Sequence, residues 1–242
     1  MTVQRRFRPN IWLTLLTICL VTLFVRLGIW QLDRAEEKQQ ILVAYEQRNA
    51  APRVVLTGNN LEHIESYQRV SLNGQADAGH QILLDNKVHN GRVGFEVLLP
   101  VQISGSDKWI LVNRGWLAMG RNRNELPDIA VDNSIQIYHG VVKVPLGDEF
   151  TIGNGNQWGD HWPQLIQWLD IKEAAVNLGY DLVPYILLQS KDDEGAYVRD
   201  WKMISSSPDK SISYAVQWFL FAIILLGLYL FLNYKRVPPG EV

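Results

Sequence analysis

The sequence predicts a membrane-anchored α+β protein in which two transmembrane helices flank an antiparallel, β-rich extracytoplasmic domain, a sheet or small barrel, with one or two helices. Apolar stretches near the two chain ends, Ile11–Trp30 and Ser213–Leu232, predict the spans. Each is close to the ~20 residues that a helix needs to cross a hydrocarbon core of about 30 Å. Short β-rich runs separated by Gly- and Asn-containing turns predict the sheet, and one helical pattern after Trp162 predicts the outer helix.

The flanking charges orient the spans. Arg5, Arg6 and Arg8 lie in residues 1–10, ahead of span one at 11–30; Lys235 and Arg236 lie in 233–242, after span two at 213–232. Basic residues beside a span are retained in the cytoplasm more readily than they are translocated. Both termini are therefore expected to be cytoplasmic and residues 31–212 to lie outside. Trp12, Trp30, Tyr214 and Tyr234 flank the spans where amphipathic rings settle at headgroups. A cleaved signal peptide would also start with basic residues and an apolar run, but Arg26-Leu27-Gly28-Ile29-Trp30 contains no small-x-small cleavage site. A mitochondrial targeting peptide would be longer and rich in Arg and Ser. The expected address is a bacterial cell inner membrane, with the main domain periplasmic.

Along the chain, Leu32, Ala35, Leu42 and Tyr45 share a helical face, so span one is expected to continue as a juxtamembrane helix over 31–49, ended by Pro52. Strands are expected at Val54–Leu56, Gln68–Leu72, Gln81–Leu84, Phe95–Val101, Trp109–Asn113 and Ile135–Val142. Asn73-Gly74, Ala78-Gly79, Asn90-Gly91, Ser104-Gly105 and Met119-Gly120 read as the turns. Leu165, Leu169, Ala174, Ala175 and Leu178 suit a helix between Trp162 and Gly179, with Gly179 as its cap. Pro184–Leu188 reads as a last strand and 190–210 as a polar connector. Residues 50–205 match the size of one domain.

Composition excludes several functions. A formal net charge of −2 gives no case for nucleic acid. The one cysteine, Cys19, falls inside span one, so the outer domain has neither a disulfide nor a thiolate metal site, and copper transfer through paired cysteines is excluded. His63, His80, His89, His139 and His161 show no metal-ligand spacing, and Asp192-Asp193 reads as solvated loop charge. No nucleophile elbow, zinc-protease helix or phosphate-cradling loop is present, which disfavours a membrane-bound enzyme.

Three strings stand out: Gly28-Ile29-Trp30-Gln31 with Arg34 and Lys38 at the outer mouth of span one; Arg114-Gly115-Trp116; and Tyr214-Ala215-Val216-Gln217-Trp218-Phe219 opening span two. Together, in this order, they resemble the Surfeit locus protein family of cytochrome oxidase assembly factors, over nearly the whole chain. The resemblance implies assembly of haem-copper oxidases of the cytochrome c oxidase type, at the step where haem a reaches the catalytic subunit. It implies a chaperone in place of an enzyme, with haem a as a transient cofactor and the catalytic subunit and haem a synthase as partners. A structural, membrane-anchored periplasmic interaction protein that handles no cofactor is the alternative. Many bacterial relatives carry histidine, the proposed haem ligand, three residues before the Tyr-Ala pair. Here Ser211 stands there, and a hydroxyl is a poor iron ligand beside imidazole.

Trp30, Gln31, Arg34, Tyr214, Gln217 and Trp218 are accordingly the candidate haem- or oxidase-facing residues. Gln217, inside an apolar run, either lines that surface or hydrogen-bonds the two spans together. Arg26 and Arg34 either pair with carboxylates or snorkel to the interface. Gly115 is expected at a strand end or bulge, with Trp116 in the core. Arg114, Gly115 and Trp116 are also the candidate partner-binding residues, since Arg and Trp are favoured at interface hot spots. Trp158, Trp162 and Trp168 either offer an apolar face or anchor the outer helix to the sheet.

Overall fold

The computed structural model describes residues 4–120, 126–145, 156–193, 197–202 and 206–237. In chain order the first elements are β1 (Gln4–Phe7), α1 (Ile11–Ala50), β2 (Val54–Leu56), β3 (Arg69–Ala76), β4 (Ile82–His89), β5 (Arg92–Ile103) and β6 (Trp109–Ala118). They are followed by β7 (Ile135–Lys143), β8 (Gln164–Ile166), α2 (Ile171–Leu178), β9 (Leu182–Gln189), α3 (Pro208–Asn233) and β10 (Tyr234–Val237). The chain divides into two compact units: residues 1–43 with 203–242, and residues 44–202.

The first unit is a pair of helices. Both α1 and α3 contain segments long and apolar enough to cross a membrane, and only 11% of either segment is buried. The two run antiparallel, since Thr14 meets Tyr229 near one end and Lys38 meets Ser211 near the other. Thr17, Gly28 and Ala35 of α1, with Ser211, Ala215 and Ala222 of α3, form the buried seam. Small residues let helix backbones approach closely where large apolar side chains, here Ile223 and Phe231 among others, face outward. β1 and β10 pair antiparallel beyond the helix ends, with Phe7 packed on Tyr229 and Tyr234. Helix α3 begins at Pro208, earlier than the expected 213. Ser207 precedes it in an extended conformation and Pro208 occupies its first turn, where a missing N–H costs nothing.

The second unit is built on a sheet ordered β2-β3-β7-β9-β6-β5-β4-β8, with an additional β3–β5 pairing. That pairing, Gly74–Ala76 against Val101–Ile103, closes β3, β7, β9, β6 and β5 into a five-stranded ring. The expected antiparallel character holds for β3–β7, β7–β9, β5–β6, β4–β5 and β3–β5. β2–β3, β4–β8 and β6–β9 are parallel, so the sheet is mixed. Leu72, Val101, Ile110, Val112, Val142 and Leu187 fill the main apolar cluster, and Leu83, Phe95, Val97 and Ile129 form a second. Full burial of such side chains contributes roughly 1.5–3 kcal/mol each.

Two expected elements differ. Asn73-Gly74 lies inside β3 and makes no turn: a Cβ at Gly74 would stand 2.6 Å from Gln102 O, so glycine serves the close strand approach that closes the ring. The helix expected from Trp162 starts only at Ile171, because Gln164–Ile166 pairs with Ile82–Leu84 as β8. Asp170 caps α2 by accepting from Lys172 N and Glu173 N, and Gly179 ends it at φ 71°. Asn90-Gly91 does form its turn, both residues having positive φ.

Candidate functional site

The span-one and span-two strings meet within the helix pair. Gly28 lies against Phe219, where an added Cβ would stand 2.6 Å from Phe219 Cε1. Trp218 packs on Phe24 and Phe221, with ring centroids 5.7 and 5.8 Å away. Lys38 Nζ donates to Ser206 Oγ and Ser211 Oγ, both at 2.9 Å. The position of Lys38 on the seam side, ten residues beyond Gly28, is what brings it to Ser211.

The remaining string residues point elsewhere. Trp30 and Tyr214 are 53% and 43% exposed, Gln217 is exposed and Gln31 is half-buried. Arg34 Nη1 pairs with Glu37 at 2.5 Å on an exposed face. Among the described residues, no hydrogen bond, ion pair or ring contact joins Trp30, Gln31 or Arg34 to Tyr214, Gln217 or Trp218. Gln217 makes no helix-to-helix bond among the described residues, because the close seam leaves that side chain outside.

Ser211 offers iron no free ligand. Ser211 is 4% exposed and its hydroxyl is engaged by Lys38. All five histidines lie between residues 63 and 161, outside the helix pair. Among the described residues, no cluster of three His, Cys, Asp or Glu could hold a metal.

In the second unit, Arg114-Gly115-Trp116 forms a β-bulge. Glu96 pairs with Trp116 and Leu98 with Asn113, so Arg114 and Gly115 together oppose the single residue Val97. Gly115 takes φ +124°, open mainly to glycine. The extra residue reverses the alternation of side chains along β6. Ile110, Val112 and then Leu117 face the apolar clusters, while Asn113 and Trp116 share the opposite face. Trp116 is thus not in the core but half-buried on a cavity wall, its Nε1 donating to Lys87 O at 2.9 Å.

The same string clamps the segment 197–202. Trp116 exchanges two backbone hydrogen bonds with Val198. Arg114 donates from Nη1 to Gln81 Oε1 and Ile129 O, both at 3.0 Å, and its guanidinium lies 4.6 Å from the centre of the Tyr197 ring. Burial lowers the Arg114 pKa from its ordinary value, against the raising effect of Tyr197 and Tyr138. Arg114 is therefore engaged within its own unit.

Several polar residues were missed by sequence reading. Arg199, 5% exposed, donates to the carbonyls of Arg114, Ser190 and Asp193. Asp193 is not solvated loop charge: it accepts from His139 N at 2.9 Å and contacts His139 Nδ1 at 2.8 Å. Asp77 bonds His80 Nδ1 at 2.6 Å and accepts from the Tyr180 hydroxyl. His80 carries Trp162 against its ring, whereas no ring contact joins Trp158, Trp162 and Trp168 among the described residues. Asp193 and His139 are 54 residues apart and Asp77 and Tyr180 are 103 apart, so no local spacing announces those two contacts.

The family model described as "SURF1 family" matches residues 18–223, from within α1 to within α3. A SURF1-like protein of Rickettsia felis is 27% identical over 238 residues, covering 92% of this chain and 96% of that protein. A SURF1-like protein of Rickettsia prowazekii is 27% identical over 89% of this chain and 87% of its own length, and one of Monosiga brevicollis is 21% identical over 95% and 93%. With the match running through both long helices and the intervening sheet, the chain belongs to the SURF1 family.

Proposed function

We propose that this chain is an assembly factor for a haem-copper oxidase of the cytochrome c oxidase type, assisting the step at which haem a enters the catalytic subunit. It works as a chaperone and transforms no substrate. In this reading the two long helices span a bacterial inner membrane, the termini are cytoplasmic and the sheet domain is periplasmic. The supporting observation is the family match over residues 18–223, which takes in all three strings in order.

Trp30 and Arg34 on α1, and Tyr214 and Gln217 on α3, offer polar groups on outward helix faces. A polar side chain at membrane depth is stabilised by a protein partner more readily than by lipid, so these residues, with Gln31 and Trp218, are proposed to face the oxidase subunit or haem a synthase. Ser211, held by Lys38, has no part in binding iron. Arg114, Gly115 and Trp116 contribute by holding 197–202 in place.

The test is the reduced-minus-oxidised visible spectrum of membranes from cells lacking the protein, beside wild type and a Tyr214→Ala/Gln217→Ala/Trp218→Ala strain. Selective loss of the haem-a band, with b- and c-type bands intact, is expected. An unchanged haem-a band would refute the oxidase role and leave a structural anchor as the function.

A further inference from the structure

Two β-bulges converge on one face of the second unit. On β4, Asp85 and Asn86 together oppose Phe95, since Leu84 pairs with Glu96 and Lys87 with Gly94. On β6, Arg114 and Gly115 oppose Val97. The bulges lie on either side of β5 and re-aim Lys87 and Trp116 toward the face that carries Glu96 and Asn113. Gly94 between them is required, because a Cβ there would stand 2.7 Å from Trp116 Nε1 and 2.2 Å from Leu117 O. Bulges of this kind recur where a strand must present particular side chains to a site.

The face is roofed by 198–202 and encloses a cavity of about 210 Å³. Three lysines line it, Lys87, Lys143 and Lys202, and none of their ammonium groups has a hydrogen-bond or ion-pair partner among the described residues. Lys87 and Lys143 are half-buried. Two carboxylates line it as well, so cations outnumber anions three to two: Glu96 accepts from Asn113 Nδ2 at 2.7 Å, and Asp200 lies 3.8 Å from Lys191, which is outside the lining. Trp116 and Trp201 spend their indole N–H groups on Lys87 O and Gln189 O, at 2.9 and 2.8 Å, so they offer the cavity apolar ring surface and no donor.

An excess of cationic groups held partly out of water is costly, and an incoming oxyanion would offset that cost. The volume matches about seven waters at ~30 Å³ each, well below a drug-sized ligand. We propose that this cavity binds a small organic anion, one carboxylate or phosphate on a compact body of roughly ten heavy atoms, with its oxyanion among the lysines and its body against Trp116 and Trp201. The inference is independent of the oxidase reading. The same chemistry is available from a free small anion or from the phosphoglycerol headgroup of a lipid.

The test uses the full chain in phosphatidylcholine nanodiscs, titrated calorimetrically with benzoate and with glycerol phosphate, and again in discs containing phosphatidylglycerol. Saturable binding of either anion is expected, weakened about tenfold or more in Lys87→Met/Lys143→Met and unchanged in Lys172→Met, an exposed lysine of α2 outside the cavity. Failure of glycerol phosphate to bind only in the phosphatidylglycerol discs would assign the site to the lipid headgroup. If the double variant unfolds, Lys202→Met, at the exposed rim, is expected to weaken binding about threefold. No heat up to about 10 mM of either anion in phosphatidylcholine discs, or equal affinity in the lysine variants, would overturn the proposal.

Discussion

Lys38 Nζ donates to Ser211 Oγ across 2.9 Å, joining the string that begins at Gly28 to the residue three before the Tyr214-Ala215 pair. Ser211 is buried and Lys38 also holds Ser206, so the ammonium links α1 to the first turn of α3.

Removal of either partner should loosen that link. Hydrogen bonds from a charged donor contribute about 1.5–3 kcal/mol, and Ser206 retains part of the interaction in Ser211→Ala. We expect Ser211→Ala to cost about 1 kcal/mol, Lys38→Met about 2 kcal/mol, and the double variant less than the sum. Unfolding of the purified protein in mixed micelles measures all three; strict additivity would show that the contact carries no energy.

Gly28 governs how closely the two helices approach. Gly28→Leu should destabilise the helix pair by about 1–3 kcal/mol through overpacking against Phe219. Gly28→Ala should be milder, since an aromatic ring can rotate away. Phe219→Ala in the Gly28→Leu background should recover part of the loss in the same unfolding assay, and no recovery would place the damage elsewhere.

At the bulge, Gly115→Ala must force φ +124° on a residue with a Cβ, 2.8 Å from Val198 O. Backbone strain of this kind costs about 1–3 kcal/mol. The expected signature is faster proteolysis within 190–202. Gly105→Ala is the control, having φ +76° but nothing within 4 Å, so its cost should be nearer 1 kcal/mol and should leave the cleavage rate unchanged.

Asp77 should make the second unit acid-sensitive. Burial pushes its pKa up, but hydrogen bonds from Tyr180 and His80, the charge of His80 and the Gly79 N–H outweigh that and bring it below the ordinary carboxylate value. A carboxyl depressed in the folded state contributes stability above its unfolded pKa of about 4, and the contribution is lost as pH falls through the folded value. The gap in unfolding midpoint between wild type and Asp77→Asn should thus be full at pH 7 and close under strong acid. Tyr180, pushed up to about 12 by burial and its bond to Asp77, stays a donor throughout that range.

Much of the architecture was written locally. Twenty-odd apolar residues require a helix in a membrane, because every backbone group must be satisfied within the segment, and that pattern is visible without any partner. Asn90-Gly91 and Gly179 likewise carry their conformations in their own φ preferences. The strings that mark the family are also contiguous, so they are legible one residue after another.

Other features depend on strand pairing between distant segments. Asn73-Gly74 has the composition of a turn, yet β5 runs beside it and requires a residue with no side chain. Trp116 has the composition of a core residue, yet one extra residue at Arg114–Gly115 turns it to the opposite face. Asp193 looks like loop charge until β7 brings His139 to it. Lys87 and Lys143 are ordinary surface lysines in sequence, and two bulges with a roof of 198–202 enclose them. A period-two alternation cannot show where it will be interrupted, because the interruption is stabilised by the neighbouring strand and not by the residues that make it.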